Sequence, residues 1–201
     1  MSVDLSTNYL GLPLRNPIVA SAGPIQQTTD GVKALADAAR EAGRKGPPPV
    51  HLWNPDYCGE MDLTIRADGT WVHEGRVIAR PEMVQLFASV LKREGDRFFL
   101  VTPVEKLGIT VEDAPFLAID AEIGADAITF TTSTGDVVTA GPDNAIRVDD
   151  RGGEPRPYVH VRRGLDALID RKTFYRLVEA AEPGPDGRLI LRSGGAEFVL
   201  G

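Results

Sequence analysis

The sequence lacks several features that mark particular protein classes. Cys58 is the single cysteine in 201 residues, which excludes an internal disulfide framework and a multi-cysteine zinc site and fits a reducing cytoplasm. No apolar run approaches the ~20 residues of a membrane-spanning helix. The N-terminus lacks the basic start and apolar stretch of a signal peptide. We therefore expect a cytoplasmic protein that does not enter a membrane.

Basic charge and cofactor motifs are also scarce. The chain carries 22 Lys and Arg against 29 Asp and Glu, and its net charge of −7 has the wrong sign for a protein that neutralises nucleic-acid phosphates. It contains no Walker loop, dinucleotide fingerprint, serine elbow, histidine metal pair or calcium-loop spacing. The sequence therefore predicts no nucleic-acid partner, no cofactor and no metal.

The composition that remains is that of an ordinary globular protein of one large domain or two small ones, with 42 % hydrophobic and 25 % charged residues. Three consecutive prolines, Pro47 to Pro49, can neither continue a helix nor donate hydrogen bonds to a sheet. We place the main boundary there. The predicted organisation is an N-terminal segment and linker over 1–45, a first unit over 46–112 and a second over 113–201.

Acidic charge is concentrated in the middle of the chain. Between Glu105 and Asp150, ten carboxylates face only Lys106 and Arg147, a local balance of −8. Two interpretations are open: a solvated acidic face, or a surface that meets a basic partner or cation. The one basic patch combines Arg162-Arg163 with Arg171-Lys172. It could receive an anionic ligand or the acidic middle of a second subunit, which favours a homodimer.

Turn signals and alternating patterns predict many short strands and two helices. The first helix should begin at Pro81 and run to Gly95, and Asp170 should cap the second. FLAIDAEI at 116–123 alternates so that Leu117, Ile119, Ala121 and Ile123 share one face. DDRGGEPR at 149–156 is predicted to be a loop. The predicted class is α+β, because strands outnumber helices and hairpin turns outnumber crossovers.

The two helix regions also indicate an internal repeat. At a constant spacing of 91, Ile78 aligns with Ile169, Leu86 with Leu177 and Leu100 with Leu191. This predicts two related small units of antiparallel strands packed on one helix each, preceded by a short N-terminal strand and helix segment. A duplicated unit of this kind commonly forms a groove in which small ligands bind.

Long segments of the body carry a family resemblance. They are residues 46–116, TSTGDVVTAGPDN at 132–144 and RPYVHVRRGLDALIDRKTFYRLVE at 156–179. Through them residues 39–201 resemble the bacterial family known as domain of unknown function 1285. The resemblance implies a dimeric, two-part α+β protein with repeated topology, with a ligand-binding or signalling role and no established activity.

A different resemblance is carried by LSTNYLGLPLRNPIVASAGP at 5–24 and DGVKALADA at 30–38. Residues 4–38 are similar to the start of a soluble flavin-dependent dihydroorotate dehydrogenase, which implies that Ala20 to Gly23 would lie against a flavin. The eight-fold barrel of that family needs about 250 residues, and the rest of its site is absent from this chain. A remnant of such an enzyme is therefore the disfavoured interpretation.

Seven residues are candidates for ligand binding. Tyr57 and Trp71 belong to an aromatic cluster at the first hairpin, where they could form an interface or pack in the core. Glu105 and Lys106 are adjacent on a strand end, so one could face a ligand. The candidates are Tyr57, Cys58, Trp71, Glu105, Lys106, Arg162 and Arg163.

These observations predict a cytoplasmic homodimer that binds a small ligand or a protein partner, in a regulatory or signalling role. The alternative is a small-molecule hydrolase or transferase that uses Glu105, Lys106 or Cys58. Such an enzyme would need two of these side chains close to His51 or His160, the histidines that could act as a base.

Overall fold

The computed structural model describes residues 7–9, 12–14 and 48–200. Its helices are a 3-10 helix at Val50–Leu52 and the α-helices α1 (Pro81–Ser89) and α2 (Arg171–Ala180). The strands are β1 (Thr7–Tyr9), β2 (Leu12–Leu14), β3 (Tyr57–Ile65), β4 (Trp71–His73), β5 (Arg76–Val77), β6 (Leu91–Glu94), β7 (Arg97–Val101), β8 (Lys106–Val111), β9 (Phe116–Ile123), β10 (Ile128–Thr132), β11 (Val137–Thr139), β12 (Ile146–Arg151), β13 (Glu154–Arg162), β14 (Leu165–Ile169), β15 (Glu182–Pro183), β16 (Leu189–Ser193) and β17 (Ala196–Val199).

The protein is mostly β, so the predicted α+β class is wrong. The described residues form two six-stranded sheets, a separate three-stranded sheet β15-β16-β17 and the two-stranded pair β1-β2. Contacts divide the chain into two compact units. The first unit contains the described residues up to Asp62 together with Leu86–Thr110, and the second contains Leu63–Gln85 together with Val111–Gly201. The two helices are short, and the long stretches around them pair as hairpins.

The two six-stranded sheets have the same strand order, which supports the predicted internal repeat. One runs β5-β4-β3-β8-β7-β6 and the other β11-β10-β9-β14-β13-β12. Each sheet therefore consists of two three-stranded meanders. The first strand of the first meander lies beside the last strand of the second, as β3 beside β8 and β9 beside β14. The helices do not repeat, because α1 follows the third strand of its sheet and α2 follows the sixth. The 91-residue spacing thus aligned helices that are not equivalent.

The expectation of one helix packed on each unit is accordingly wrong. Helix α2 lies against β9 and β16. As predicted, the Asp170 carboxylate caps it by accepting a hydrogen bond from the Thr173 amide at 2.7 Å. Leu177 is fully buried, whereas Phe174 and Val178 are only half-buried.

The first helix ends earlier than predicted, at Ser89 rather than near Gly95. Leu91–Glu94 instead forms β6, in which Leu91 pairs with Leu100 and Glu94 with Arg97 of β7. Gly95 has a φ of +60°, which allows the tight turn between the two strands. The apolar residues Val90 and Leu91 continued the helical pattern, but cross-strand pairing decides their structure.

Two further predictions fail for the same kind of reason. The predicted loop at 149–156 is a β-hairpin, in which Gly152 and Gly153 both have positive φ and join β12 to β13. In β9 the pairing shifts between Asp120 and Ala118, so Ile119 is the extra residue of a β-bulge. The bulge leaves Ile119 exposed and buries Phe116 and Ala118, which the simple alternation had placed on the other face.

Several predicted strands are confirmed. The meander from Met61 to Val77 is formed by β3, β4 and β5, with both residues of the Glu74-Gly75 turn at positive φ. In the N-terminal segment, β1 and β2 pair antiparallel, whereas the predicted helix near Val32 lies outside the described residues. Among the described helices, none is both long and apolar enough to cross a membrane.

Candidate functional site

Strand β7 of the first unit separates a core from a polar face. Leu100 is fully buried between its cross-strand partners Leu91 and Leu107. Phe99 precedes it, so its side chain points to the opposite side of the sheet. Its cross-strand partners are Lys92 and Gly108, and its ring is still only 5 % exposed. Other side chains of this face must therefore cover the Phe99 ring.

Two cations and a tyrosine cover that ring. The Arg97 guanidinium lies 5.0 Å and the Lys106 ammonium 5.4 Å from its centroid, within the range of cation–π attraction. Tyr57 contacts it edge-on, with ring centroids 6.3 Å apart and planes at 85°. We call Tyr57, Glu60, Arg97, Phe99 and Lys106 together the Phe99 face.

The carboxylate of Glu60 completes the face. One of its oxygens, Oε1, accepts a hydrogen bond from the Tyr57 hydroxyl and forms an ion pair with Arg97. Arg97 also stacks on Tyr57, with its guanidinium 5.4 Å from the ring centroid. Hydrogen bonding to Tyr57, followed by the charge of Glu60, raises the pKa of Arg97. Arg97 therefore stays cationic over the whole working pH range.

A second carboxylate, Glu94, lies beside the face on the edge strand β6. Lys92 approaches it to 2.9 Å and Lys106 to 3.1 Å. The hydrogen bond from Lys92, and then that from Lys106, lower the pKa of Glu94. Lys92 also donates to the Trp53 carbonyl at 3.1 Å. The network places three cations against two carboxylates, so one positive charge within this group of side chains is not balanced by a carboxylate of the group.

Two glycines make this arrangement possible. Gly59 lies inside β3 with a φ of +117°, a conformation that L side chains rarely adopt. The irregularity lets Tyr57 and Glu60, three residues apart, act on the same side of the sheet. On β8, a Cβ at Gly108 would overlap the Glu60 carboxylate. The bare backbone of Gly108 is therefore the floor on which this carboxylate lies.

The structure brings two of the seven predicted residues, Tyr57 and Lys106, onto the Phe99 face. Cys58 lies next to Tyr57 and is exposed, and its thiol donates to the Asp56 carbonyl at 3.3 Å. Glu105 is in the turn between β7 and β8, where its amide donates to the Thr102 hydroxyl at 3.0 Å. Its Oε2 is buried without a hydrogen-bond partner, and burial raises the pKa of its carboxyl.

The other three predicted residues belong to the second unit. Trp71 is 3 % exposed, which identifies it as a core residue. Arg162 forms an ion pair with Asp136 and lies 4.8 Å from the centroid of the Phe116 ring. Arg163 has a φ of +46° in the turn that leads to β14. None of these contacts joins the three residues into one site in the described part of the unit.

A separate polar network lies on one face of β12, β13 and β14. Asp113, with its side chain 3 % exposed, accepts a hydrogen bond from the Tyr158 hydroxyl at 2.7 Å and pairs with Arg156 at 3.3 Å. Arg147 stacks on the Tyr158 ring at 4.2 Å and pairs with Asp166 at 3.0 Å. Asp166 also contacts His160 Nδ1 at 2.9 Å. These mutual contacts hold a buried tyrosine under polar residues, a structural role.

Four carboxylates of the acidic middle of the chain pair with arginines, three of which come later in the sequence. Ion pairs join Asp113 to Arg156, Asp136 to Arg162, Asp120 to Arg176, and Asp149 to Arg147. The hydrogen bond from Arg176 lowers the pKa of Asp120. Local counting of charge could not show this, because three of the four arginines lie outside the stretch that was counted.

Sequence reasoning missed Glu60, Arg97 and Phe99. A signal for Arg97 and Phe99 was present, since RFFLV alternates and its second phenylalanine shares a face with the arginine. Nothing in the sequence placed Glu60 beside them. Its position depends on the irregular backbone at Gly59 and on the bare Gly108 in a strand almost fifty residues further along.

The structure is mostly β, and comparisons with known proteins divide the chain into an N-terminal and a C-terminal domain. Family models match residues 48–114 as the N-terminal domain of a domain of unknown function, DUF1285, and residues 115–200 as the C-terminal domain of the same family. The chain belongs to the DUF1285 family, which confirms the resemblance of the body. No curated protein matches the chain.

Two crystal structures of DUF1285 family proteins are similar. The protein from Silicibacter pomeroyi DSS-3 is 52 % identical, with a TM-score of 0.76, covering 90 % of this chain and 96 % of its own. The protein from Shewanella baltica OS155 is 28 % identical, with a TM-score of 0.50, covering 61 % of this chain and 94 % of its own. These comparisons do not show the resemblance of residues 4–38 to a dihydroorotate dehydrogenase.

Proposed function

We propose that this protein is a cytoplasmic, homodimeric binding module with a regulatory or signalling role, and that the Phe99 face is its recognition surface. The observation that carries the proposal is the convergence of Arg97, Lys106 and Tyr57 on one aromatic ring. Cations and aromatic rings held together in this way recognise anionic and planar groups. The face thus favours a small anionic ligand, or an acidic group of a protein partner.

The contacts favour binding over catalysis. A nucleophilic thiol needs a base within hydrogen-bond reach, whereas the Cys58 thiol donates to a backbone carbonyl of its own loop. The Lys106 Nζ is engaged in an ion pair with Glu94 at 3.1 Å rather than directed at a reaction centre. His160 contacts Asp166 in the other unit. The hydrolase or transferase alternative would need these groups to meet, and none of the described hydrogen bonds joins them.

A thermal-shift screen of the full chain against nucleotides, lipids and common metabolites tests the proposal. A ligand that binds only the native state raises the midpoint of unfolding, by an amount that grows with the logarithm of its concentration relative to its Kd. We expect at least one anionic compound to stabilise the protein. Arg97→Gln should weaken its binding by roughly tenfold or more, because a charge-assisted hydrogen bond is lost.

Arg192→Gln is the matched control. Arg192 lies on β16, forms ion pairs with Glu182 and Glu197, and is as exposed as Arg97. Its loss should leave ligand binding unchanged. A ligand whose thermal shift survives Arg97→Gln would show that recognition takes place elsewhere, and a screen without any stabilising compound would contradict a small-ligand function.

A further inference from the structure

We infer that the Phe99 face contains a carboxylate-binding recess, and that Glu60 occupies this recess in place of the carboxylate of a ligand. The inference rests on the proposed function and deepens it by naming the ligand class. A ligand carboxylate would take the position of the Glu60 carboxylate, and Glu60 would turn away into solvent. Binding would then exchange an internal ion pair for an external one.

The recess has the parts that a carboxylate requires. The Tyr57 hydroxyl and the Arg97 guanidinium both point at the same Glu60 oxygen, Oε1. Beneath the carboxylate lies Gly108, which offers bare backbone where any other residue would fill the space. A hydroxyl, a guanidinium and an open floor form a receptor for a planar anion.

Stability alone does not explain why the chain builds this recess. The side chains of Arg97 and Glu60 are 57 % and 58 % exposed, and ion pairs with this exposure contribute only about 0–1 kcal/mol. Glycines inside strands usually cost stability relative to residues with side chains. Gly59 and Gly108 are therefore better explained by the need to position an anion than by the stability of the sheet.

The neighbouring rings indicate what should be attached to the carboxylate. Tyr57 is 47 % exposed at the mouth of the recess, and Phe99 lies against it edge-on. An aromatic body attached to the carboxylate could stack on the open part of Tyr57 while Arg97 holds the charge. The ligand class is therefore a small aromatic carboxylate. A phosphate could also pair with Arg97, but it has no ring that could stack on Tyr57.

The test is a titration of the full chain with benzoate, with inorganic phosphate as a second probe, followed by the amide chemical shifts of Phe99 and Gly108. Glu60→Gln removes the competing charge and should tighten benzoate binding by roughly fivefold, the upper range for an exposed ion pair. Glu197→Gln is the matched control, because Glu197 forms an exposed ion pair with Arg192 away from the Phe99 face, and it should not tighten benzoate binding. Gly108→Ala fills the floor and should abolish binding.

The outcomes separate this inference from the proposed function. Equal benzoate binding by the wild type and Glu60→Gln, or preference for phosphate, would overturn the recess. So would retained binding in Gly108→Ala, provided that its amide spectrum shows a folded protein. If these results occur while a screened ligand still depends on Arg97, the recognition surface stands and only its ligand class is wrong. If no ligand depends on Arg97, both proposals fail.

Discussion

Glu94 and Glu105, close together in the first unit, experience opposite electrostatic surroundings. Lys92 and Lys106 donate hydrogen bonds to Glu94 and lower the pKa of its carboxyl. Glu105 has a buried oxygen without a hydrogen-bond partner, and desolvation raises the pKa of its carboxyl. The native state thus favours the charged form of Glu94 and the neutral form of Glu105. Neither preference could be predicted from sequence, in which each is simply a glutamate next to one basic residue, Arg93 for Glu94 and Lys106 for Glu105.

Glutamine variants of the two residues should therefore change stability with opposite sign. A depressed pKa contributes stability above the unfolded-state pKa of about 4.3, and this contribution is lost as the pH falls through the folded-state value. Glu94→Gln should be less stable than the wild type at pH 7, by less than about 1 kcal/mol because the pair is partly solvated. The difference should shrink as the pH falls below about 4.

For Glu105 the sign is reversed. A raised carboxyl pKa penalises the folded state at high pH, and the penalty disappears below the unfolded-state pKa. Glu105→Gln should be more stable than the wild type at pH 7 and indistinguishable from it in acid. Urea unfolding of both variants across this pH range measures the two slopes. Parallel slopes for the two variants would contradict the described surroundings of these carboxyls.

At the scale of elements, the errors of sequence-based prediction fall where two patterns fit the same residues. Val90 and Leu91 extend the apolar stripe of α1, yet they also fit the first buried positions of a hairpin. Pairing of Leu91 with Leu100 decides for the strand. Pro81 and Asp170, in contrast, predicted the starts of both helices correctly, because caps and proline act locally and need no tertiary partner.

Gly95 should be essential to this hairpin. Its φ of +60° makes alanine unfavourable there, although a Cβ would meet no other atom within 4 Å. Gly95→Ala should therefore destabilise the protein by about 1 kcal/mol through backbone strain alone. Gly141→Ala is the control, since its φ lies outside the left-handed region and a Cβ would meet nothing closer than 3.8 Å. It should be neutral or slightly stabilising.

Chemical unfolding of the two variants compares these effects. If Gly95→Ala and Gly141→Ala change the free energy of unfolding by the same amount, the left-handed turn at Gly95 between β6 and β7 would be contradicted. That result would restore the longer helix that the apolar stripe predicted. Hydrogen exchange at Leu91 and Arg93 would then follow the helix rather than the sheet.

At the scale of the whole molecule, the sequence indicated duplication but not its correct register. The amphipathic patterns of α1 and α2 are the strongest sequence signals, so they dominate any internal alignment. The repeat is found in the sheets instead of the helices, since β3 to β8 and β9 to β14 share one strand order. Strand order depends on pairing between residues far apart in sequence, and short β patterns carry too little information to reveal it.

Charge is redistributed by the same long-range pairing. The acidic stretch from Glu105 to Asp150 is partly balanced by arginines of β13 and α2, and Arg162 is engaged with Asp136. The basic patch proposed for a second subunit is therefore partly neutralised within its own unit. In the first unit, Arg97 and Lys106 converge on the Phe99 ring. The Phe99 face is therefore the proposed recognition surface.

The most direct measurement is an amide chemical-shift map of the wild-type protein with a stabilising ligand from the screen. The largest shifts should fall on Phe99, Gly108 and Arg97, which lie on adjacent strands, and these shifts should be lost in Arg97→Gln. The contrary result is a map centred on β12 to β14 or on α2, with the Phe99 and Gly108 amides unmoved. It would place recognition in the other unit and leave the Phe99 face with a purely structural role.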